Sequence, residues 1–114
     1  MMGVFNGMFP VIAGKEADAR AFAAETMGAR KADFEALQAR SKVTRETWAL
    51  QETPMGSFIL VWFEGDVEQA FADLAADTSE FGTWFRGRVL DVTGVDLAAP
   101  SDAPPPDVLV DWTA

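Results

Sequence analysis

A chain of 114 residues with eighteen acidic and nine basic side chains carries a net charge of −9, the length of one domain and too acidic for general binding to nucleic acid. Cysteine, histidine and tyrosine are all absent. That excludes disulfides, thiol chemistry, and the commonest metal ligand and general base.

Residues 1–7, Met-Met-Gly-Val-Phe-Asn-Gly, hold neither a basic stretch nor a long apolar one and do not read as a signal peptide. The longest apolar run, Phe58 to Phe63, falls far short of the roughly 20 residues of a membrane helix. The chain reads as cytoplasmic, with no membrane partner.

Residues 3–12 predict a strand, with Phe5, Gly7, Phe9 and Val11 on one face and Val4, Asn6, Met8 and Pro10 on the other. Gly14 marks a turn, and residues 15–40 then predict a long helix. Ala19, Phe22, Ala23, Met27, Phe34 and Leu37 would line one side of it, interrupted at Gly28. Residues 45–52 predict a second strand, on which Trp48, Leu50 and Glu52 share a face. Thr53-Pro54-Met55-Gly56 is a turn signal, and residues 57–64 complete a hairpin.

Asp66 with Gln69 three residues on forms a helix-capping pair. Val67, Ala70, Phe71, Leu74 and Ala75 follow at the spacing of a buried helix face. Asp77-Thr78-Ser79 opens another helix with Phe81, Trp84, Phe85, Val89 and Val92 as its stripe and Gly94 as its stop. Residues 98–107 form a proline-rich tether. In polyproline II form it would reach roughly 30 Å, to a last strand over residues 108–112. The whole chain, 1–114, reads as a single domain.

This order, β-α-β-β-α-β, is that of an α+β ferredoxin-like antiparallel sheet with helices on one face. The third strand places Phe58, Leu60 and Trp62 on one side and Ile59, Val61 and Phe63 on the other, so neither side is polar. A sheet with one wet face would alternate apolar with polar. Helices cover one face, and the other calls for a second copy of the chain, twofold association being the commonest solution.

The chain resembles the dimeric α/β-barrel superfamily, in which two ferredoxin-like subunits pack their sheets together. The resemblance rests on element order, on Thr44-Arg45-Glu46-Thr47-Trp48, on Phe63-Glu64-Gly65-Asp66, on Trp84-Phe85, on Gly94-Val95-Asp96-Leu97 and on Asp111-Trp112. It is most similar to small uncharacterised bacterial members related to antibiotic-biosynthesis-type monooxygenases. The superfamily also includes haem-degrading monooxygenases, isomerases and polyketide cyclases, so membership does not choose a chemistry. In the haem-degrading members an early-strand asparagine, a tryptophan and a haem-ligating histidine act together. Asn6 and tryptophans are present here, but no histidine is.

The candidate site residues follow. Asn6 sits between apolar neighbours in the first strand. Trp48 and Trp62 on the hairpin could wall a ligand pocket, as they could equally fill a core or an interface. Glu52 and Glu64 end strands two and three, and both could share a proton if they pointed inward. Arg86 and Arg88 lie about 200° apart on a helix and cannot form one clamp; they read, like Arg45 with Glu46, as surface ion-pairing residues. No phosphate loop and no metal cluster is present in the pattern. No cofactor is implied. Two functions are carried forward. The first is a homodimeric module that binds a small apolar or aromatic ligand or serves structurally. The alternative is a cofactor-independent monooxygenase, isomerase or cyclase acting on an aromatic or polyketide-like substrate, with Asn6, Trp48, Trp62 and Glu52 as its residues.

Overall fold

A computed structural model describes residues 2–101 and 104–114. Its elements are β1 (Met2–Val11), α1 (Glu16–Thr26), α2 (Lys31–Arg40), β2 (Arg45–Thr53), β3 (Gly56–Asp66), α3 (Val67–Ala76) and α4 (Glu80–Thr93). β3 lies in the middle of an antiparallel sheet of order β1-β3-β2. The class is α+β.

Alternation along the strands sorts the sheet into two faces. Phe5, Phe9, Val11, Glu46, Trp48, Leu50, Ile59, Val61 and Phe63 turn toward the helices. Phe22 of α1, Leu37 of α2 and Phe81, Phe85 and Val89 of α4 pack into one buried cluster against Phe34 and Trp48. A second buried cluster joins Val11, Ala19 and Val92. α3 is anchored by Phe71, whose ring meets Phe5 edge-on at 4.9 Å and lies 5.8 Å from Phe63. Each such large apolar side chain contributes about 1.5–3 kcal/mol when it leaves water.

The cap read at Asp66 is present, and the segment read as opening α4 supplies a second at Ser79. Asp66 accepts from the Gln69 backbone N–H at 3.1 Å, and Ser79 accepts from that of Gly82 at 3.1 Å. Gly94 closes α4 in the left-handed conformation, φ 76°. That conformation carries little steric penalty without a Cβ. Arg86 bonds the Leu74 and Asp77 carbonyls at 2.7 and 2.6 Å. It ties the end of α3 to α4, which differs from the surface ion pair expected of it.

Two expectations are corrected. The helix over residues 15–40 is two helices. α1 ends at Thr26, the chain turns through residues 27–30, and the Arg30 N–H bonds the Glu25 carbonyl at 2.9 Å. At Gly28 a Cβ would stand 2.8 Å from the Ala24 carbonyl oxygen, so the turn is drawn tight there. A straight helix over that span would be about 39 Å long, as long as the molecule's greatest extent of 38 Å. Bending keeps Phe22 and Leu37 both over the sheet.

The second correction is the last strand. Residues 108–112 pair with no strand, and Leu109, Val110 and Trp112 are about four-fifths exposed or more. Pro105, Pro106 and Val108 share a wide groove with Met2 to Asn6 at the start of β1. Pro104, Pro105 and Pro106 have no N–H to give to a ladder, and residues 108–112, which hold no proline, follow them without pairing. Asp102 and Ala103 of the predicted tether lie outside the described residues.

The other sheet face carries Val4, Asn6, Met8, Pro10, Thr47, Ala49, Phe58, Leu60 and Trp62. Met8 is 63% and Leu60 38% exposed. No helix of the described residues covers this face.

Candidate functional site

Between the sheet and the helices lies an interior cavity of about 80 Å³. Its walls are largely aromatic, with Phe5, Phe9 and Phe63 from the sheet and Phe22, Phe34, Phe71 and Phe85 from the helices. Trp48 is one of its walls, 5.3 Å from Phe22, 5.8 Å from Phe85 and 6.0 Å from Phe34 between ring centroids. These are the separations and tilts at which aromatic pairs attract.

The polar groups among these walls are Gln38, Ser41, Glu46 and Thr93. Thr93 turns back to the Val89 carbonyl at 2.6 Å, and Ser41 donates to Asp73 at 3.1 Å. Both are thereby occupied. Glu46 differs. It enters β2 on the inner face, opposite Phe63 in register, and is half-buried. One carboxylate oxygen accepts from Gln38 Nε2 at 2.8 Å and the other from Trp48 Nε1 at 2.6 Å. Burial pushes its pKa above the ordinary carboxylate value, while the two donors pull it part of the way back. No cationic side chain among the described residues lines the cavity.

Glu46, Trp48 and Phe34 also form one wall of a second space, an open groove of about 190 Å³. Ala23, Thr26 and Met27 at the end of α1 form its other side. The three residues therefore line both the groove and the interior cavity. The groove exists because α1 stops at Thr26 and the chain turns away. Chemically, the arrangement offers an apolar seat with one carboxylate at its edge. Among the described residues no group of three or more carboxylates converges as a metal ion would require.

The sequence-read residues are divided by the sheet. Trp48 lies at the cavity. Asn6 and Trp62 face each other across β1 and β3 on the uncovered face, where Arg45 stacks its guanidinium 5.8 Å from the Trp62 ring. Trp62 opposes Thr47, not Trp48, and a one-residue offset reverses the face. Glu52 is exposed and 3.5 Å from Arg20. Glu64 points to the other face, so the two glutamates do not meet to share a proton. Asp111 is exposed, and Arg88 pairs with Asp91 at 2.9 Å.

Sequence reasoning passed over Glu46 as a surface residue. The signal was there, since position 46 shares the parity of Trp48 and Leu50. What alternation alone does not show is that Gln38 and Phe34 of α2 close over it.

Comparison of the chain with family models, with curated proteins and with solved structures found no match.

Proposed function

We propose that this chain is one ferredoxin-like subunit of a homodimeric α/β barrel that binds a small apolar or aromatic molecule. The observation that carries the binding reading is the groove of about 190 Å³ beside α1, which shares Glu46, Phe34 and Trp48 with the aromatic interior. Ligand sites are mostly apolar with a few placed polar groups, and this one has that composition at small size. The dimer is supported by the uncovered apolar face of the sheet and by the exposed Leu109, Val110 and Trp112. An exposed apolar surface of this kind marks an association site.

Native mass spectrometry, followed by the same sample denatured, tests both parts. The expected result is a dimer that retains a small molecule lost on denaturation. A stable monomer would remove the dimer, and a protein that takes up no small aromatic probe would remove the binding reading.

A second reading, cofactor-independent catalysis by a monooxygenase, isomerase or cyclase, rests on the same carboxylate. Glu46 is the titratable group at the cavity, and burial has moved its pKa in the direction useful to a base. Turnover that survives Glu46→Gln unchanged would remove that reading.

A further inference from the structure

Glu46 makes only part of the hydrogen bonding open to it. An ionised carboxylate offers about four acceptor positions, and Gln38 and Trp48 occupy one on each oxygen. Both donors are neutral. The groups facing it across the groove, Ala23, Thr26 and Met27 from α1 and Phe34 from α2, carry no charge and do not titrate. Its register partner Phe63 is apolar. The charge therefore sits at an apolar threshold with acceptor capacity to spare and, among the described residues, no counter-ion lining the cavity or the groove. A buried charge is expensive unless it is paired. The net charge of −9 also raises the local concentration of cations over that of anions.

We propose that the site selects a small amine with an apolar body, its ammonium group paired with Glu46 and its body seated between Met27, Phe34 and Trp48. The inference rests on the small-molecule reading above and deepens it by naming the ligand class. Size supports it. A cavity of about 150 Å³ is known to hold benzene, so the groove of about 190 Å³ has room for one ring. The interior of about 80 Å³ does not, and it can take only a short substituent. Phe34 and Trp48 also line the groove, and aromatic rings favour a neighbouring cation.

Benzylamine and benzyl alcohol are suitable probes, because they share a ring and differ in charge. The reporter is the indole N–H resonance of Trp48 in nitrogen-15-labelled protein, identified by its loss in Trp48→Phe. This proton is bonded to Glu46. At about pH 7 and low salt, benzylamine is expected to shift the resonance saturably, with an affinity roughly tenfold or more above that of benzyl alcohol. Glu46→Gln is expected to abolish that preference and keep the weaker binding of the alcohol. In the unsubstituted chain the preference is expected to fall as pH is lowered through the Glu46 midpoint and the carboxylate takes up its proton, since an alkylammonium stays charged throughout the acid range.

If the alcohol binds as tightly as the amine, or if the preference survives both Glu46→Gln and acidification, the carboxylate is structural and the inference fails while the small-molecule reading stands. If neither probe binds, both fail. Should Glu46→Gln not fold, the pH series in the native chain decides alone.

Discussion

Glu46, Asp77 and Glu80 give the chain opposing responses to pH. Burial raises the Glu46 pKa, so the folded chain holds that proton more tightly than the unfolded one. The contribution is fully present below the unfolded value, near 4.3, and is lost as pH rises through the folded value. Asp77 is held low chiefly by its hydrogen bonds from Ser79, and Glu80 chiefly by its hydrogen bond from Arg30. Their contributions are present above the unfolded values and are lost as pH falls. Urea unfolding across pH should separate these terms. The stability of the native chain relative to Glu46→Gln should decline as pH rises past the Glu46 midpoint and then level off. A difference flat across the acid range would show that burial does not perturb Glu46. Glu80→Gln should lower stability only slightly, because exposed ion pairs are worth little, and only above the Glu80 midpoint. The parity of Glu46 was legible in the sequence. Its burial was not, because burial depends on α2, whose placement no local pattern reports.

At the scale of the element, caps and stripes were legible because they are local. Ser79→Ala should remove about 1 kcal/mol through the lost cap on α4, read as a lower urea midpoint at unchanged slope. Phe22 is 5% exposed and touches Trp48, Trp84 and Phe85. Phe22→Ala should therefore remove about 3–5 kcal/mol, checked by the same titration. A loss below about 1 kcal/mol would mean that the cluster is loosely packed. The break between α1 and α2 was only half legible. Gly28 flagged it, yet alanine, glutamate and arginine on either side favour continuous helix. The break is settled by the size of the sheet, over which both halves must lie. The bend also opens the groove, so a feature that weakens the helix creates the candidate site.

For the whole molecule, the uncovered sheet face is the dominant unsatisfied feature. Leu60 stands on the central strand with Met8 and Ala49 opposite it in register. If two copies join there, Leu60→Lys should convert the dimer to a monomer in light scattering after size exclusion, and the concentration dependence of Tm should vanish with it. A dimer that persists unchanged would place the contact elsewhere. Apolar residues on both sides of β3 were plain from the sequence, and so was the antiparallel order of the hairpin. The expected fourth strand was not borne out within the described residues: β1 and β2 each keep a free edge, and an apolar run becomes a strand only where the fold lays it along such an edge.

The sequence by itself determined what depends on neighbours within a few positions. Strand alternation, helix stripes, the Asp66 and Ser79 caps and the Gly94 stop all follow from backbone geometry and side-chain type over one or two turns. Tertiary structure alone decided the division of residues 15–40, the unpaired state of residues 108–112, the separation of Asn6 and Trp62 from Trp48, and the enclosure of Glu46. Each of these turns on which surfaces meet across the fold. Burial and the desolvation of a charge are properties of that meeting, and no stretch of sequence carries them alone.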